Sequence, residues 1–277
     1  YNPGLAAWVK LYVNGEYLGV YINVEQPDKQ FLKNRGIYDK DDTWLYKAGD
    51  VGANYDLKVG DPDSPTTTAL CYSPFGAEGS TDGGTKGGKG KKGGGGSGSS
   101  SGCTVPDSDS AMATELNKLI DMEAMLTQGA VSAFTNGPDA LFSKGKNFYY
   151  IDFSADKRQY IPWDLDSVFG SGTDGSIYGS AKRKRGSTEL SQSPYEELIL
   201  NNPTFRAQYD LIMAGLLNGP LQVDAQLAFL NDLEVLIGSA LAADPNNNLE
   251  DSVAARFDNL RQWVSGRVSN INDQLGN

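Results

Sequence analysis

Two carboxylates, Asp164 and Asp166, lie two residues apart in the aromatic stretch YIPWDLDSVFG at 160–170. Side chains two positions apart on a strand point the same way, and two like charges held side by side repel each other. Placing an acid among apolar side chains is also costly unless another group compensates its charge. A divalent cation is the simplest compensation, so the stretch predicts a metal site. The competing interpretation is a pair of turn or capping residues after a strand.

Two further polar residues bracket the hairpin that this stretch would complete. Asp139 precedes the hairpin in a loop, and Asn147 opens its first strand. Asn147 offers a neutral oxygen ligand of the kind that hard cations accept. Asp139 would lie beside the metal and accept a proton. Because Asp139 follows Pro138, it is also compatible with a helix N-cap.

The composition limits the chemistry that is open to these residues. The 277-residue chain contains no histidine, which excludes a Ser-His-Asp triad, a Cys-His dyad and the usual His-rich zinc or iron sites. Carboxylate chemistry remains, and it suits magnesium or calcium. The formal net charge of −11 argues against a general nucleic-acid binder, since phosphate contacts need clustered Lys and Arg. No apolar run long enough for a membrane span is visible in the sequence.

The order of predicted elements indicates an α+β fold with strands on the N-terminal side and a mainly helical C-terminal part. Strands at 7–13 and 18–24 flank Asn14-Gly15, a strong hairpin-turn signal, and Asp28 is placed to cap a short helix. Helical periodicity begins near Thr114 and continues to Phe134. The later predicted elements are a hairpin at 148–151 and 159–163 and helices near 194–217, 221–243 and 249–275.

A stretch at 83–102 contains only Gly, Lys, Ser and Thr and is predicted to be a mobile, solvated insertion. Cys71 and Cys103 flank it. A disulfide at the base of the loop is predicted, which would favour an oxidising compartment. Two free thiols are the alternative.

A loop aspartate, an asparagine, a hairpin and a metal-binding aspartate follow one another in the catalytic loop region of protein kinases. The sequence also resembles the CotH kinase family of atypical spore-coat and secreted kinases. The matching segments occur in family order: LYVNGEYLGVYINVEQPDKQFL (11–32), IDMEAMLTQGAVSAFTNGPDAL (120–141), KNFYYI (146–151), YIPWDLDSVFG (160–170), NNPTFRAQY (201–209) and LRQWVSGRV (260–268). The Asn-Gly-Glu-Tyr-x-Gly-x-Tyr and Pro-Trp-Asp-x-Asp pieces are the specific ones.

The resemblance implies a two-lobed, kinase-like fold, Mg²⁺ and ATP as cofactors, and transfer of the γ-phosphate to Ser or Thr of secreted or coat proteins. It implies an extracellular, cell-surface or spore-coat location. By the same resemblance, Asp139 would be the catalytic base, Asn147 and Asp164 would hold magnesium, and Asp166 would be a second ligand or a support. Glu25 would lie at the hinge near the adenine, although it is equally compatible with a structural hydrogen-bonding role.

The chain departs from the family pattern in two ways. The interval from Asp139 to Asn147 is longer than usual, so Ser143-Lys-Gly-Lys146 is interpreted as a local insertion. The chain also begins after the point at which the family carries its phosphate-binding Lys and the Glu that orients it, so the first part of the small lobe is expected to be missing.

The resemblance divides the chain into a partial small lobe with the hinge (1–60), an insertion (61–113) and a helical large lobe that carries the hairpin (114–277). Two alternative functions stay open. One is a non-catalytic kinase-like module that serves in adhesion or in assembly of an extracellular structure. The other is a calcium-binding surface protein that uses the same acids without ATP.

Overall fold

The computed structural model describes residues 4–48, 55–63, 106–170, 172–179, 182–183, 190–191, 193, 195–247 and 250–276. The Gly-, Lys- and Ser-rich stretch at 83–102 lies outside these residues, as do Cys71 and Cys103. The mobile insertion and the disulfide therefore stay predictions.

The described residues form seven α-helices, eight strands and one π-helical turn. In chain order they are β1 Ala6–Val13, β2 Glu16–Val24, α1 Lys29–Asn34, β3 Thr43–Ala48, β4 Tyr55–Val59, α2 Asp109–Leu119, α3 Met122–Phe134, α4 Leu141–Lys144, β5 Phe148–Phe153, β6 Gln159–Pro162, β7 Lys182–Arg183, β8 Leu190–Ser191, the π-helical turn Glu196–Leu200, α5 Pro203–Leu217, α6 Val223–Ala242 and α7 Val253–Leu275. Most strands come early and the long helices come late. The predicted α+β class is confirmed.

The strands form three antiparallel sheets. β1 pairs only with β2 among the described strands, and β7 pairs with β8, whereas the central sheet has the order β4-β3-β5-β6. In the central sheet Leu45 of β3 lies opposite Ile151 of β5. Backbone hydrogen bonds thus join strands of the predicted small-lobe unit to the hairpin of the predicted large-lobe unit. The proposed boundaries between these units stay a prediction.

Two clusters of buried side chains cover the two faces of the central sheet. On one face, Phe31 and Leu32 of α1 pack against residues of β3, β5 and β6. On the other face, α2, α3 and α5 bury the aromatic side chains of the sheet, including Tyr150 and Tyr160. Because both faces are covered, the ends of the sheet are the places where polar side chains can meet solvent and ligands.

Two predicted helices are each divided in the structure. Ile120 adopts an extended conformation that ends α2, and Asp121 then caps α3 by accepting a hydrogen bond from Ala124 N at 3.1 Å. Near 201, the side chain of Asn202 accepts a hydrogen bond from Thr204 N at 3.0 Å and begins α5, with Pro203 in its first turn. Proline lacks a backbone N–H and favours the start of a helix over its interior.

The last helix is confirmed as a core element. Its apolar stripe includes Phe257, Val264, Val268 and Ile271, all of which are buried. α6 packs against this helix through Leu230 and Ile237 in a shared cluster of buried side chains.

α6 is also long and apolar enough to cross a membrane, judged by length and composition alone. A single helix of this kind is weak evidence for a span. The expected absence of a membrane span stays a prediction.

The β1–β2 hairpin docks on the chain between α6 and α7. Its predicted turn is confirmed, since Asn14 and Gly15 both have positive φ angles, 52° and 85°. Gly19 of β2 has φ +128°, and Asp244 lies directly against it. Asp244 Oδ2 accepts a hydrogen bond from Val20 N at 2.8 Å. The specific glycine of the Asn-Gly-Glu-Tyr-x-Gly-x-Tyr piece therefore lets a carboxylate approach the edge of the strand.

We expect Gly19→Ala to destabilise the protein more than Gly36→Ala. Both glycines have positive φ angles. A Cβ costs about 1–2 kcal/mol of backbone strain at Gly36, where φ is +66°, and at least as much at Gly19, where φ is +128°. At Gly19 the added Cβ would also lie 2.6 Å from Asp244 Oδ1, whereas Gly36 faces open space. Urea unfolding of the two variants measures the difference. Equal unfolding midpoints would show that the close approach of Asp244 adds nothing to the cost of a side chain at position 19.

Candidate catalytic cleft

One end of the β5–β6 hairpin holds Asn147 and Asp164 together. Asn147 directly precedes β5, and Asp164 follows β6 by two residues. Trp163 N donates a hydrogen bond to Asn147 O at 2.9 Å. The side-chain amide of Asn147 donates to the main-chain oxygen of Asp164 at 3.1 Å. Both Asn147 and Asp164 have positive φ angles, 60° and 56°, so the chain turns sharply where each strand meets the cleft.

Asp139 lines the same small cleft as Asn147 and Asp164. Its other lining residues come from the end of α3, the loop after it and the chain that follows Asp164: Ser132, Thr135, Gly137, Ala140, Leu165, Ser167 and Val168. The three residues that were predicted to act together from their order along the hairpin are therefore neighbours in space.

The donor atoms of Asn147 and Asp164 fit a hard divalent cation. Within the described part of the chain, neither the Asn147 side-chain oxygen nor the Asp164 carboxylate accepts a hydrogen bond. Asp164 is exposed. Oxygen donors of these two types, completed by water or phosphate oxygens, are what Mg²⁺ prefers. The described residues contain no cluster of three or more Asp, Glu or Cys side chains that could hold a metal alone.

The reasoning that linked Asp166 to Asp164 is corrected by the structure. β6 ends at Pro162, and the positive φ of Asp164 breaks the alternation of side chains that an extended strand would impose. Both acids are exposed, so no buried charge has to be compensated. Asp166 is not among the residues that line the cleft; its carboxylate accepts a hydrogen bond from Ser167 Oγ at 3.3 Å. A supporting role for Asp166 stays a prediction.

Asp139 forms ion pairs with two lysines. Its carboxylate contacts Lys144 Nζ directly and lies 3.2 Å from Lys146 Nζ. The alternative of a helix N-cap is wrong, because the N-cap of α4 is Ala140 and no side chain caps that helix. Hydrogen bonding from Lys144, reinforced by Lys146, lowers the pKa of Asp139 below its ordinary value of 3.8. Because the folded-state pKa of Asp139 is depressed, the two ion pairs stabilise the fold fully at pH values above the ordinary pKa. This contribution is lost as the pH falls through the folded-state pKa.

Lys146→Met is expected to raise the pKa of Asp139 towards its ordinary value, because one of the two ammonium groups that favour the carboxylate is removed. Titration of the carboxyl carbon by NMR measures the shift. The matched control is Lys118→Met, which removes a lysine paired with Glu115 on the exposed side of α2. An unchanged Asp139 in Lys146→Met, relative to the control, would show that the ion pair does not persist in solution.

Sequence reasoning missed the part that these lysines play. It interpreted residues 143–146 as a local insertion, whereas both lysines of that segment contact Asp139. Gly145 ends α4 with φ +67° and turns the chain so that Lys146 comes back towards Asp139. Two lysines close before Asn147 were the only available signal. The spacing of the two lysines does not indicate that Asp139 is their partner.

Glu25 lies away from this cleft and is engaged by other residues. Arg35 NH1 and NH2 donate to its two carboxylate oxygens at 3.1 and 2.7 Å. Leu5 N adds a hydrogen bond at 3.2 Å. These bonds, chiefly those from Arg35, lower the pKa of Glu25 to about 2. The carboxylate thus ties the end of β2 to α1, and the proposed adenine contact stays a prediction.

A family model described as CotH kinase protein matches residues 3–75 and 100–271. The matched ranges include all five predicted site residues. The intervening residues 76–99 overlap the Gly-, Lys- and Ser-rich stretch at 83–102. No curated protein matches the chain.

Proposed function

Because the chain belongs to the CotH kinase family, we propose that it transfers the γ-phosphoryl group of ATP to Ser or Thr hydroxyls of a secreted or coat protein. The observation that carries the proposal is the meeting of Asp139, Asn147 and Asp164 in one cleft at the end of the β5–β6 hairpin. A base, a neutral oxygen ligand and an anionic ligand are among the groups that this reaction needs on the protein side.

Asn147 and Asp164 would hold the magnesium ion that accompanies ATP. When bound, magnesium neutralises charge on the phosphates and orients them. Asp166, two residues further along the chain, would support Asp164. Glu25 would keep the hinge in place through Arg35, close to where the adenine is expected to bind.

Asp139 would orient the acceptor hydroxyl and take its proton. In the transfer, a bond forms between the acceptor oxygen and the γ-phosphorus. The bond from that phosphorus to the β–γ bridging oxygen breaks, and ADP leaves with the electron pair. Lys144 and Lys146 hold the Asp139 carboxylate in place before the reaction. They also bring positive charge to the side of the cleft where the transferred group carries negative charge.

Labelling of a Ser-rich peptide with radioactive ATP in magnesium tests the proposal. We expect the protein to label the peptide when magnesium is present and to lose this labelling when magnesium is removed by a chelator. Binding of Mg-ATP without labelling of any secreted partner would contradict phosphoryl transfer.

The surface of the β1–β2 hairpin favours a second candidate, a non-catalytic module that binds a partner. Every residue of β1 is exposed. Large apolar side chains on both strands are exposed, among them Trp8, Tyr12 and Ile22. Clusters of exposed apolar side chains are typical of surfaces that bind a partner. Failure of the protein to bind Mg-ATP in a calorimetric titration would favour this candidate over the kinase.

A further inference from the structure

A cavity of about 280 Å³ lies next to the catalytic cleft. One wall is formed by the end of α3 and the loop at 135–140, and the other by the segment at 174–179. Ser132, Gly137 and Ala140 line both the cavity and the cleft, so the two spaces adjoin. A polypeptide that occupied the cavity would lie beside Asp139.

Arg267 of α7 is bonded to both walls of this cavity. Its side chain is fully buried. On the first wall, its guanidinium donates to the main-chain oxygens of Ala133 at 2.6 Å and Phe134 at 3.1 Å. On the second, NH1 donates to the main-chain oxygens of Thr173 at 2.9 Å and Gly175 at 2.5 Å. This planar cation therefore bonds to both walls and contributes to the spacing between them.

The chemistry of these contacts suits a role in positioning. The last carbonyls of α3 lack partners within the helix and carry the negative end of its dipole, which a buried cation neutralises. Besides the main-chain oxygens, Arg267 donates to Asn270 Oδ1 at 3.1 Å, and no carboxylate of the described residues hydrogen-bonds to it. The planar, rigid fork of arginine can bridge acceptors on two sides, whereas the single nitrogen of lysine cannot reach both.

The second wall is held from other sides as well. Gln274 Oε1 accepts a hydrogen bond from Ile177 N at 2.9 Å, and Tyr209 OH donates to Ile177 O at 2.6 Å. The guanidinium of Arg206 lies 3.1 Å from the centre of the Tyr178 ring. α5 and α7 thus support the segment at 172–179. Arg267 ties this segment to the end of α3, and Asn136 Nδ2 ties it to the loop after α3 by donating to Gly172 O at 3.3 Å.

We propose that Arg267 is a positioning residue for the phosphoryl acceptor: it sets the spacing of the two walls between which the acceptor polypeptide binds, and so the approach of the acceptor hydroxyl to Asp139. The proposal rests on the proposed kinase function. It places the acceptor on the α3 side of Asp139, while Asn147 and Asp164 lie on the nucleotide side.

Arg267→Lys separates positioning from general stability. We expect kcat/KM for a Ser-rich peptide to fall by about 100-fold, the scale of a 1 Å misplacement of reacting groups. The affinity for Mg-ATP, measured by calorimetry, should stay within about twofold, since Asn147 and Asp164 lie on the hairpin rather than on the cavity walls. Amide hydrogen exchange should accelerate at Ile177 and its neighbours and stay slow in β5.

Arg158→Lys provides the matched control, because Arg158 is also a buried arginine and pairs with Asp152 inside the β5–β6 hairpin. It should lower the melting temperature but leave kcat/KM unchanged at a temperature where both variants are folded. Guanidinium ion added to Arg267→Gly should restore part of the peptide labelling and none of the loss in an Asp139→Ala variant.

The outcomes separate this inference from the function on which it rests. Normal peptide kinetics in a folded Arg267→Lys protein would overturn the positioning role and leave the kinase function intact. Equal losses of Mg-ATP affinity and of peptide labelling would show that Arg267 supports the whole fold, which also overturns it. Failure of the unmutated protein to label any peptide would overturn both proposals.

Discussion

Asp164→Asn is expected to weaken the binding of Mg-ATP by at least about 100-fold while the fold stays intact. Loss of a partner that only orients a metal ligand already costs about 10–100-fold in metal affinity, so loss of a direct anionic ligand should cost at least as much. The substitution keeps the volume of the side chain. The carboxylate that it removes is exposed and accepts no hydrogen bond from the described residues, so the melting temperature should change little. Calorimetric titration with Mg-ATP measures the affinity.

Asp166→Asn is the matched control for this measurement. Asp166 is two residues away, carries the same charge and is also exposed, but it does not line the cleft. Its replacement should weaken binding by clearly less than that of Asp164. If the two variants lose affinity equally, the net charge of the stretch matters and neither acid is a specific ligand. Unchanged affinity in Asp164→Asn would remove Asp164 from the metal site.

Asp139→Ala is expected to lower the rate of peptide phosphorylation by about 100-fold or more, the scale of losing a general base. The affinity for Mg-ATP should change little, because the proposed ligands are Asn147 and Asp164. Removing the carboxylate also leaves Lys144 and Lys146 without their shared partner.

Asp156→Ala controls for loss of an acid elsewhere in the same hairpin. Asp156 lies in the turn between β5 and β6, where its side chain accepts a hydrogen bond from Lys157 N at 2.7 Å. Its replacement should leave the labelling rate unchanged. An Asp139→Ala protein that still labels the peptide at a rate near that of the control would show that Asp139 is not the base.

The features that could be predicted from the sequence depend on neighbours along the chain. Asn14-Gly15 formed the expected turn, and Asp28 caps α1 by accepting hydrogen bonds from Gln30 N at 2.7 Å and Phe31 N at 2.9 Å. Turns and caps involve residues within three or four positions of each other, so local sequence determines them. The order of Asp139, Asn147 and Asp164 around a predicted hairpin was likewise enough to predict that they lie close together.

The features that sequence reasoning missed depend on residues that are distant along the chain. The helical periodicity through Ile120 is unbroken, yet Ile120 is drawn into a bridge with Arg158 that ends α2. Arg267 shows no local sign of its role, since it lies in an ordinary amphipathic helix and its acceptors on the two cavity walls are main-chain oxygens more than 90 positions earlier. Main-chain acceptors carry no residue identity, so no sequence pattern could have named them.

The central sheet also constrains how the protein is made. β3 and β4 are synthesised early, but the partner of β3 on its other side is β5, roughly 100 residues later in the chain. At a ribosomal rate of about 5–20 residues per second, β5 is synthesised about 5–20 s after β3. Until then, one edge of β3 has no partner strand. During that interval the nascent polypeptide presents Trp44, Leu45 and Tyr46 on an unpaired edge, where other chains can bind. Export or holding by a chaperone before β5 emerges would therefore protect the molecule at its most aggregation-prone stage.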